Sequence, residues 1–283
     1  MIAFVGSVFS PGYHRARRRD AAADPMDHCA INIHLRGPDG ELWVMTERPR
    51  GMVERRADRL TLGSTTMTRD GEALVVRFDE RTKPFFQRMP RRISGEIRLT
   101  PTVTCGAPVE IDHAGRHTWW PIAPHARVEV QLDQPRLRFC GAGYHDANRG
   151  VEGLERGFRR WSWSRVATDG GAAVLYDTVD RAGQRRAQGF WFGADGRRDF
   201  APRARVDLGR AGWGVARETR VEDGADARVV ETLVAAPFYA RSVIETTIDG
   251  RPAVGVHEAL DCDRFDAGWV RFLLPWRIRR EGR

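Results

Sequence analysis

Lysine is almost missing from this sequence of 283 residues: Lys83 stands alone among 46 basic side chains, and the rest are arginine. The net charge of +8 is therefore carried by guanidinium groups scattered along the chain. Short clusters occur at Arg15–Ala16–Arg17–Arg18–Arg19 and Arg277–Ile278–Arg279–Arg280. A nucleic-acid binder concentrates its charge on one helix or patch, so this scatter argues against such a partner. Attraction to anionic membrane lipid fits the same charge at least as well. Cysteine is also scarce. Cys29, Cys105, Cys140 and Cys262 form no CxxC pair, which excludes the usual spacings of a zinc site or disulfide framework. Mostly buried, reduced thiols in a cytoplasmic protein are the expectation. No run approaches the ~18 apolar residues of a spanning helix. The opening Ile2 to Phe9 is apolar but too short for a signal peptide, and reads as a strand. Finally, no window of about 12 residues keeps a convincing helical period. Gly12 to Ala23 and Asp146 to Arg160 are the weak helical candidates.

What is present is the pattern of strands and turns. At 41% hydrophobic and 30% charged the chain has the composition of a folded protein, and nine tryptophans and thirteen phenylalanines are enough to line an apolar pocket as well as a core. Asp-Gly occurs at Asp39–Gly40, Asp70–Gly71, Asp169–Gly170, Asp195–Gly196, Asp223–Gly224 and Asp249–Gly250. Between alternating apolar runs this dipeptide predicts type I′ hairpin turns, in which both central residues take positive φ. The flanking runs are 30–35, 73–78, 127–132, 172–179, 228–234, 243–248 and 254–260. Many short strands joined by tight turns predict an all-β sandwich or an up-and-down barrel, and closure favours the barrel because it removes exposed edges. The Pro-, Arg- and Gly-rich stretch Gly193 to Gly212 is the expected linker. It divides the chain into 1–197 and 198–283, the second part being small for a whole closed barrel.

Two stretches could carry chemistry. In Gly115–Arg116–His117–Thr118–Trp119–Trp120 an extended backbone puts His117 and Trp119 on one face. In the segment from Gly141 to Gly150 the same argument groups Tyr144, Asp146 and Asn148 and turns His145 away. A buried aspartate is costly without partners, so this is no ordinary core strand. Structural roles remain open for both: Asp146 as a helix cap or Asx turn, His117 as an exposed strand residue. Trp161 and Trp163 suit core or site equally, whereas Trp191 and Trp213 read as core.

The segment Gly143–Tyr144–His145–Asp146–Ala147–Asn148–Arg149–Gly150 is similar to the GYHDHNWG signature of the acyclic carotenoid 1,2-hydratases, or hydroxyneurosporene synthases. Collinear stretches extend the resemblance over the whole chain: Ala3 to Pro11, Asp24 to Asn32, Met45 to Arg48, Glu231 to Leu233, Ala236 to Ser242 and His257 to Leu260. The resemblance implies two lipocalin- or calycin-like antiparallel barrels, the larger N-terminal one (1–197) carrying the site and lacking its first strands. It also implies a cofactor-free, metal-free hydro-lyase that adds water across the terminal C1=C2 bond of acyclic carotenoids such as neurosporene or lycopene. The family's functional histidine, tryptophan, tyrosine and aspartate match His117, Trp119, Tyr144 and Asp146. Ala147 stands where the signature has histidine, and Arg149 where it has tryptophan.

Alkene hydration needs an acid still protonated near neutrality, and an ordinary aspartate at about 3.9 is not. Burial among apolar groups supplies the upward shift. This assigns Asp146 as general acid, oriented by Tyr144 or His117, with Trp119, Trp120 or Tyr144 facing the cation and His117 placing water. The partners expected are the carotenoid, water and peripheral membrane lipid at the inner membrane, with no nucleic acid. Two alternatives stay open: a carrier of apolar ligands, favoured if Ala147 and Arg149 disable the acid, and another cofactor-free reaction on the same scaffold. The segment 272–280 offers an aromatic and basic mix for interfacial contact, but reads first as a last strand.

Overall fold

The computed structural model describes residues 1–37, 40–83, 89–202 and 204–281. The fold is all-β, as the turn spacing requires, with only short helices between the strands. Its contacts separate two compact units that are discontinuous in sequence. The first combines Met1–Thr100, Arg127–Gly141 and Arg271–Arg283; the second combines Pro101–Ala126 and Ala142–Val270. This partition differs from the sequential division at 197/198. The expected linker is not a loop, because it contains the strands Gly196–Phe200 and Ala204–Arg210.

In the first unit, Ile2–Phe4, Cys29–Gly37, Gly40–Arg48 and Arg279–Arg280 form a four-stranded sheet in that order. The last pairing, Arg279–Arg280 on Thr46–Glu47, is parallel, so the fold is not purely antiparallel. A meander follows the chain from Val53–Arg55 through Arg59–Leu62, Thr65–Asp70, Ala73–Arg81 and Arg92–Val103 to His117–Gln134 and Leu137–Gly150. The last two strands each contribute residues to both units. Alternation along these strands buries Ile31, Ile33, Leu42, Val44, Val76, Phe78, Val130 and Leu132 in one cluster. Gly95 is required there, since a Cβ would lie 2.2 Å from the Gln131 carbonyl oxygen.

In the second unit a seven-stranded sheet runs Gly196–Phe200, Arg185–Gly193, Gly171–Asp180, Phe158–Thr168, Arg251–Asp261, Tyr239–Ile248, Ala227–Ala235. A two-stranded ribbon, Ala204–Arg210 with Ala216–Val221, covers one of its faces. Arg220 donates to Asp177 at 2.7 Å, the Ser164 and Thr219 hydroxyls lie 2.7 Å apart, and Arg217 donates to the Ser242 hydroxyl at 3.1 Å. Residues 171 to 179 are buried without a break because both faces of this central strand are covered.

The barrels expected from the meander are not closed. Val53–Arg55, Leu137–Gly150, Gly196–Phe200 and Ala227–Ala235 end their sheets without a further described partner. Closure gives way to a face packed under a ribbon, and two register shifts bend the edge strand Ala227–Ala235. Both central residues of the Asp-Gly turns are at positive φ only in Asp249–Gly250, at 53° and 69°. Asp70–Gly71 and Asp195–Gly196 join paired strands with glycine alone at positive φ, and Asp169–Gly170 does so with neither. Asp223–Gly224 links strands that do not pair. Asp39 lies outside the described residues.

Of the helical candidates, the first is Pro11–Arg19, opened by the Ser10 hydroxyl accepting from the Tyr13 amide at 3.2 Å. The second is strand to Gly150, followed by a single turn at Leu154–Gly157. The opening strand stops at Phe4. The C-terminal segment is helical over Gly268–Arg277, which overturns the strand reading. All four cysteines are free thiols; Cys29 and Cys262 are buried and Cys140 is exposed.

Candidate active site

The two faces of the seven-stranded sheet differ. Cross-strand pairing puts Ser164, Asp177, Ser242 and His257 on the ribbon side, and Trp163, Tyr176, Arg241 and Glu258 on the other. Along Tyr239–Ile248 the ribbon-side residues are all buried and the others all half-buried. One face is thus core. The other is an aromatic and polar surface still open in part to solvent.

Trp119, Tyr144 and Asp146 meet on that second face. Trp119 is fully buried; its ring centroid lies 5.5 Å from those of Tyr176 and Phe190 and 6.2 Å from Phe192. Its indole N–H donates to the Asp146 carboxylate at 2.9 Å and to the Tyr144 hydroxyl at 3.0 Å. Asn148 adds a donor to the same Asp146 oxygen at 3.3 Å. Alternation along Leu137–Gly150 therefore groups Tyr144, Asp146 and Asn148 as expected. Trp163 packs on Tyr144 at 5.2 Å, and the Arg165 guanidinium sits 5.2 Å from the same ring. Arg165 is held there by the Pro124 and Gly143 carbonyls, at 2.9 and 3.2 Å.

Burial dominates the electrostatics. It pushes the Asp146 carboxyl up to about 6, against the lowering effect of its hydrogen bonds to Tyr144, Trp119 and Asn148. The negative charge of Glu258 adds to the rise. With a pKa of about 6, roughly a tenth of the groups stay protonated at pH 7. Burial also raises the Tyr144 and Tyr176 hydroxyls, so both are neutral.

His117 shares its strand face with Trp119 and is buried, but it does not join this cluster. Its backbone N–H donates to Asp112 at 3.1 Å, and its Nδ1 lies 3.5 Å from the same carboxylate. The ring packs 4.7 Å from Phe158 and against the backbone of Gly150 and Gly157, where a Cβ would come within 2.5 Å of it. Among the described residues no hydrogen bond joins it to Asp146, Tyr144 or Trp119.

Sequence reasoning missed the far wall of the site. Arg241 forms an ion pair with Glu258 at 2.6 Å and donates from Nε to the Tyr239 hydroxyl at 3.1 Å. These residues lie far from Asp146 in sequence. Only the two-residue spacing of Tyr239 and Arg241 hinted that they share a face. Trp163 acquires its acidic neighbour the same way, through pairing with Glu258. Trp191 packs against Val166, Ala173 and Ile248 as expected of core, but Trp213 is 51% exposed. Trp120 is 38% exposed, with its indole N–H on the Cys105 carbonyl at 2.7 Å.

Over residues 1–283 the chain matches the family of carotenoid hydratase CrtC. It belongs to the carotenoid hydratases. An acyclic carotenoid 1,2-hydratase of Thiocapsa roseopersicina is 45% identical over 284 residues, covering 100% of this chain and 69% of that protein. Those of Cereibacter sphaeroides and Rhodobacter capsulatus are 40% and 37% identical, covering 99% of this chain and 98% and 97% of theirs. Among solved structures, a putative AttH from Nitrosomonas europaea superposes with a TM-score of 0.59 at 14% identity, over 83% of this chain and 81% of that one. That likeness concerns the fold alone.

Proposed function

We propose that this hydratase adds water across the terminal C1=C2 bond of an acyclic carotenoid such as neurosporene or lycopene, with Asp146 as the general acid. The observation that carries the reading is a carboxyl raised to about 6 inside an aromatic cluster. Such a group can hold a proton near neutrality and deliver it to a hydrocarbon. Protonation at C2 leaves a tertiary cation at C1. Water bonds to C1, and the proton it sheds returns to the Asp146 carboxylate, so the acid is regenerated. The Trp119 N–H and Asn148 orient the carboxyl. In this reading the aromatic rings around Asp146 stabilise the cation, a contribution of ~2 kcal/mol when desolvated. His117, tied to Asp112, positions the strand that carries Trp119.

The substrate class resides in lipid, so the reading includes peripheral contact with the inner membrane from the cytoplasmic side. No described helix is long and apolar enough to cross a membrane. The carrier alternative drew on Ala147 and Arg149. Both are exposed and alternate with Asp146 on the strand, so they face away from the acid.

The test is incubation with neurosporene and with lycopene in detergent, beside Asp146→Asn, with products read by mass. The expected result is a gain of one water that falls at least 100-fold in the variant, a general acid contributing about 100- to 10,000-fold. Because the protonated form is active, kcat should decline as pH rises through about 6. Retained turnover in Asp146→Asn would sink the assignment.

A further inference from the structure

The helix Gly268–Arg277 turns its apolar stripe outward. Trp269, Phe272, Leu273 and Trp276 recur at i, i+3, i+4 and i+7, and are 47, 67, 40 and 47% exposed. In a soluble helix that stripe faces the core. Here the inward positions are Val270, which is buried, and Leu274, which packs with Ala30, Met45 and Ile278. Trp213, 51% exposed, stacks on Trp269 with ring centroids 6.4 Å apart and planes 29° apart. A contiguous exposed patch of large apolar side chains marks an interaction surface.

A cavity of about 400 Å3 adjoins Trp269 and is lined by four arginines: Arg159, Arg160, Arg210 and Arg264. Its acidic members are already engaged. Asp261 accepts from the Arg264 amide at 3.0 Å, and Asp263 pairs with Arg181. Arg210 is bound to the Gly214 carbonyl at 2.8 Å, and Arg264 to the carbonyls of Pro237 and Trp213, both at 2.6 Å. Arg159 and Arg160 are different. Neither guanidinium has a hydrogen-bond or ion-pair partner among the described residues. They are consecutive, yet both line the cavity, because the strand carries a register shift between Phe158 and Arg160.

We infer that this surface docks on an anionic lipid bilayer. Trp213 and Trp269 enter the interfacial region, and Arg159 and Arg160, in the same unit, receive a headgroup phosphate in the adjoining cavity. Tryptophan suits the headgroup level, where an apolar body and an N–H are both accommodated. Two uncompensated guanidiniums suit a phosphate diester. The charge agrees, with 46 basic against 38 acidic residues in the chain. The inference rests on the reading of a lipid-resident substrate and names the surface through which the protein would reach it.

The test is co-sedimentation with vesicles of phosphatidylcholine alone and of phosphatidylcholine mixed with phosphatidylglycerol. Wild type, Trp213→Ser/Trp269→Ser and Arg159→Gln/Arg160→Gln are compared, with circular dichroism and Tm confirming each fold. Wild type should prefer the anionic vesicles. The aromatic pair should lose at least tenfold in partition on both vesicle types. The arginine pair should lose on the order of fivefold per residue on anionic vesicles alone. Hydration in detergent should persist in both variants and fall when substrate is delivered in vesicles. Folded variants that partition like wild type would overturn the surface. So would an aromatic variant that only converts a dimer to a monomer, which would assign the patch to a second copy of the chain. Partition is read without substrate, so a wild type that binds vesicles yet hydrates nothing in detergent supports the surface and overturns the hydratase reading.

Discussion

Glu258 raises the Asp146 carboxyl through its charge while itself paired with Arg241 on the same face of the sheet. Replacing it by glutamine removes that negative charge and leaves the Arg241 cation uncompensated. Both changes favour the ionised form of Asp146. The expected outcome for Glu258→Gln is a decline in kcat that sets in below the wild-type pH of about 6, with lower turnover at pH 7 and partial recovery on acidification. A pH–rate profile in detergent decides it; an unmoved limb would remove Glu258 from the electrostatics of the site. At this scale the sequence was readable where roles are local. Tyr144, Asp146 and Asn148 sit two apart, and strand periodicity alone groups them. Glu258, Arg241 and Tyr239 reach the site only through pairing with distant strands, and no local pattern encodes that register. His117 illustrates the opposite error, since sharing a strand face with Trp119 did not bring it to the acid.

Alternation governs the elements as well. Ala147 and Arg149 depart from the family signature, and as immediate neighbours of the acid they invite the view that activity is compromised. In a strand, immediate neighbours point to opposite faces. Ala147→His and Arg149→Trp, alone or together, should therefore change kcat by no more than about threefold, a shift below the ~1 kcal/mol typical of a lost contact. Steady-state kinetics with neurosporene checks this; a tenfold effect would mean that the outer face of the strand also touches substrate. The C-terminal segment teaches a different lesson about elements. The aromatic and basic mix of 272–280 does not by composition alone separate a last strand from a helix. The spacing of Trp269, Phe272, Leu273 and Trp276 at three and four residues belongs instead to a helix whose packing leaves the aromatic stripe outside, and which forms in spite of Pro275 in its last turn.

For the molecule as a whole, the turn count correctly signals an all-β fold, but closure does not follow from it. The ribbon Ala204–Arg210 and Ala216–Val221 covers a face, and no local signal distinguishes a covering ribbon from two more strands of a barrel. The pairing of Phe158–Thr168 with Arg251–Asp261 also means that within residues 1–197 the strand Phe158–Thr168 keeps only one of its two partners. A fragment of those residues should show no cooperative thermal transition and should bind a hydrophobic dye, because a long buried edge is left bare. Near-ultraviolet circular dichroism and calorimetry measure this, and a sharp two-state melt would show that the N-terminal 197 residues are self-sufficient.

Lys83 closes one further chain of consequence. Its ammonium donates to the carbonyls of Pro275 at 2.6 Å and Ile278 at 2.8 Å, where the last helix gives way to the final strand, and burial lowers its pKa. It is also the one lysine in the sequence. Side-chain amine chemistry of any kind, whether acetylation, a succinimidyl label or a cross-linker, therefore has a single address, and that address is occupied as a tether. A reagent that acylates it removes the charge and leaves one amide N–H where the ammonium offered three donors. The degree of acylation at Lys83, read by peptide mass apart from the α-amine, thus gauges whether the C-terminal segment is in place.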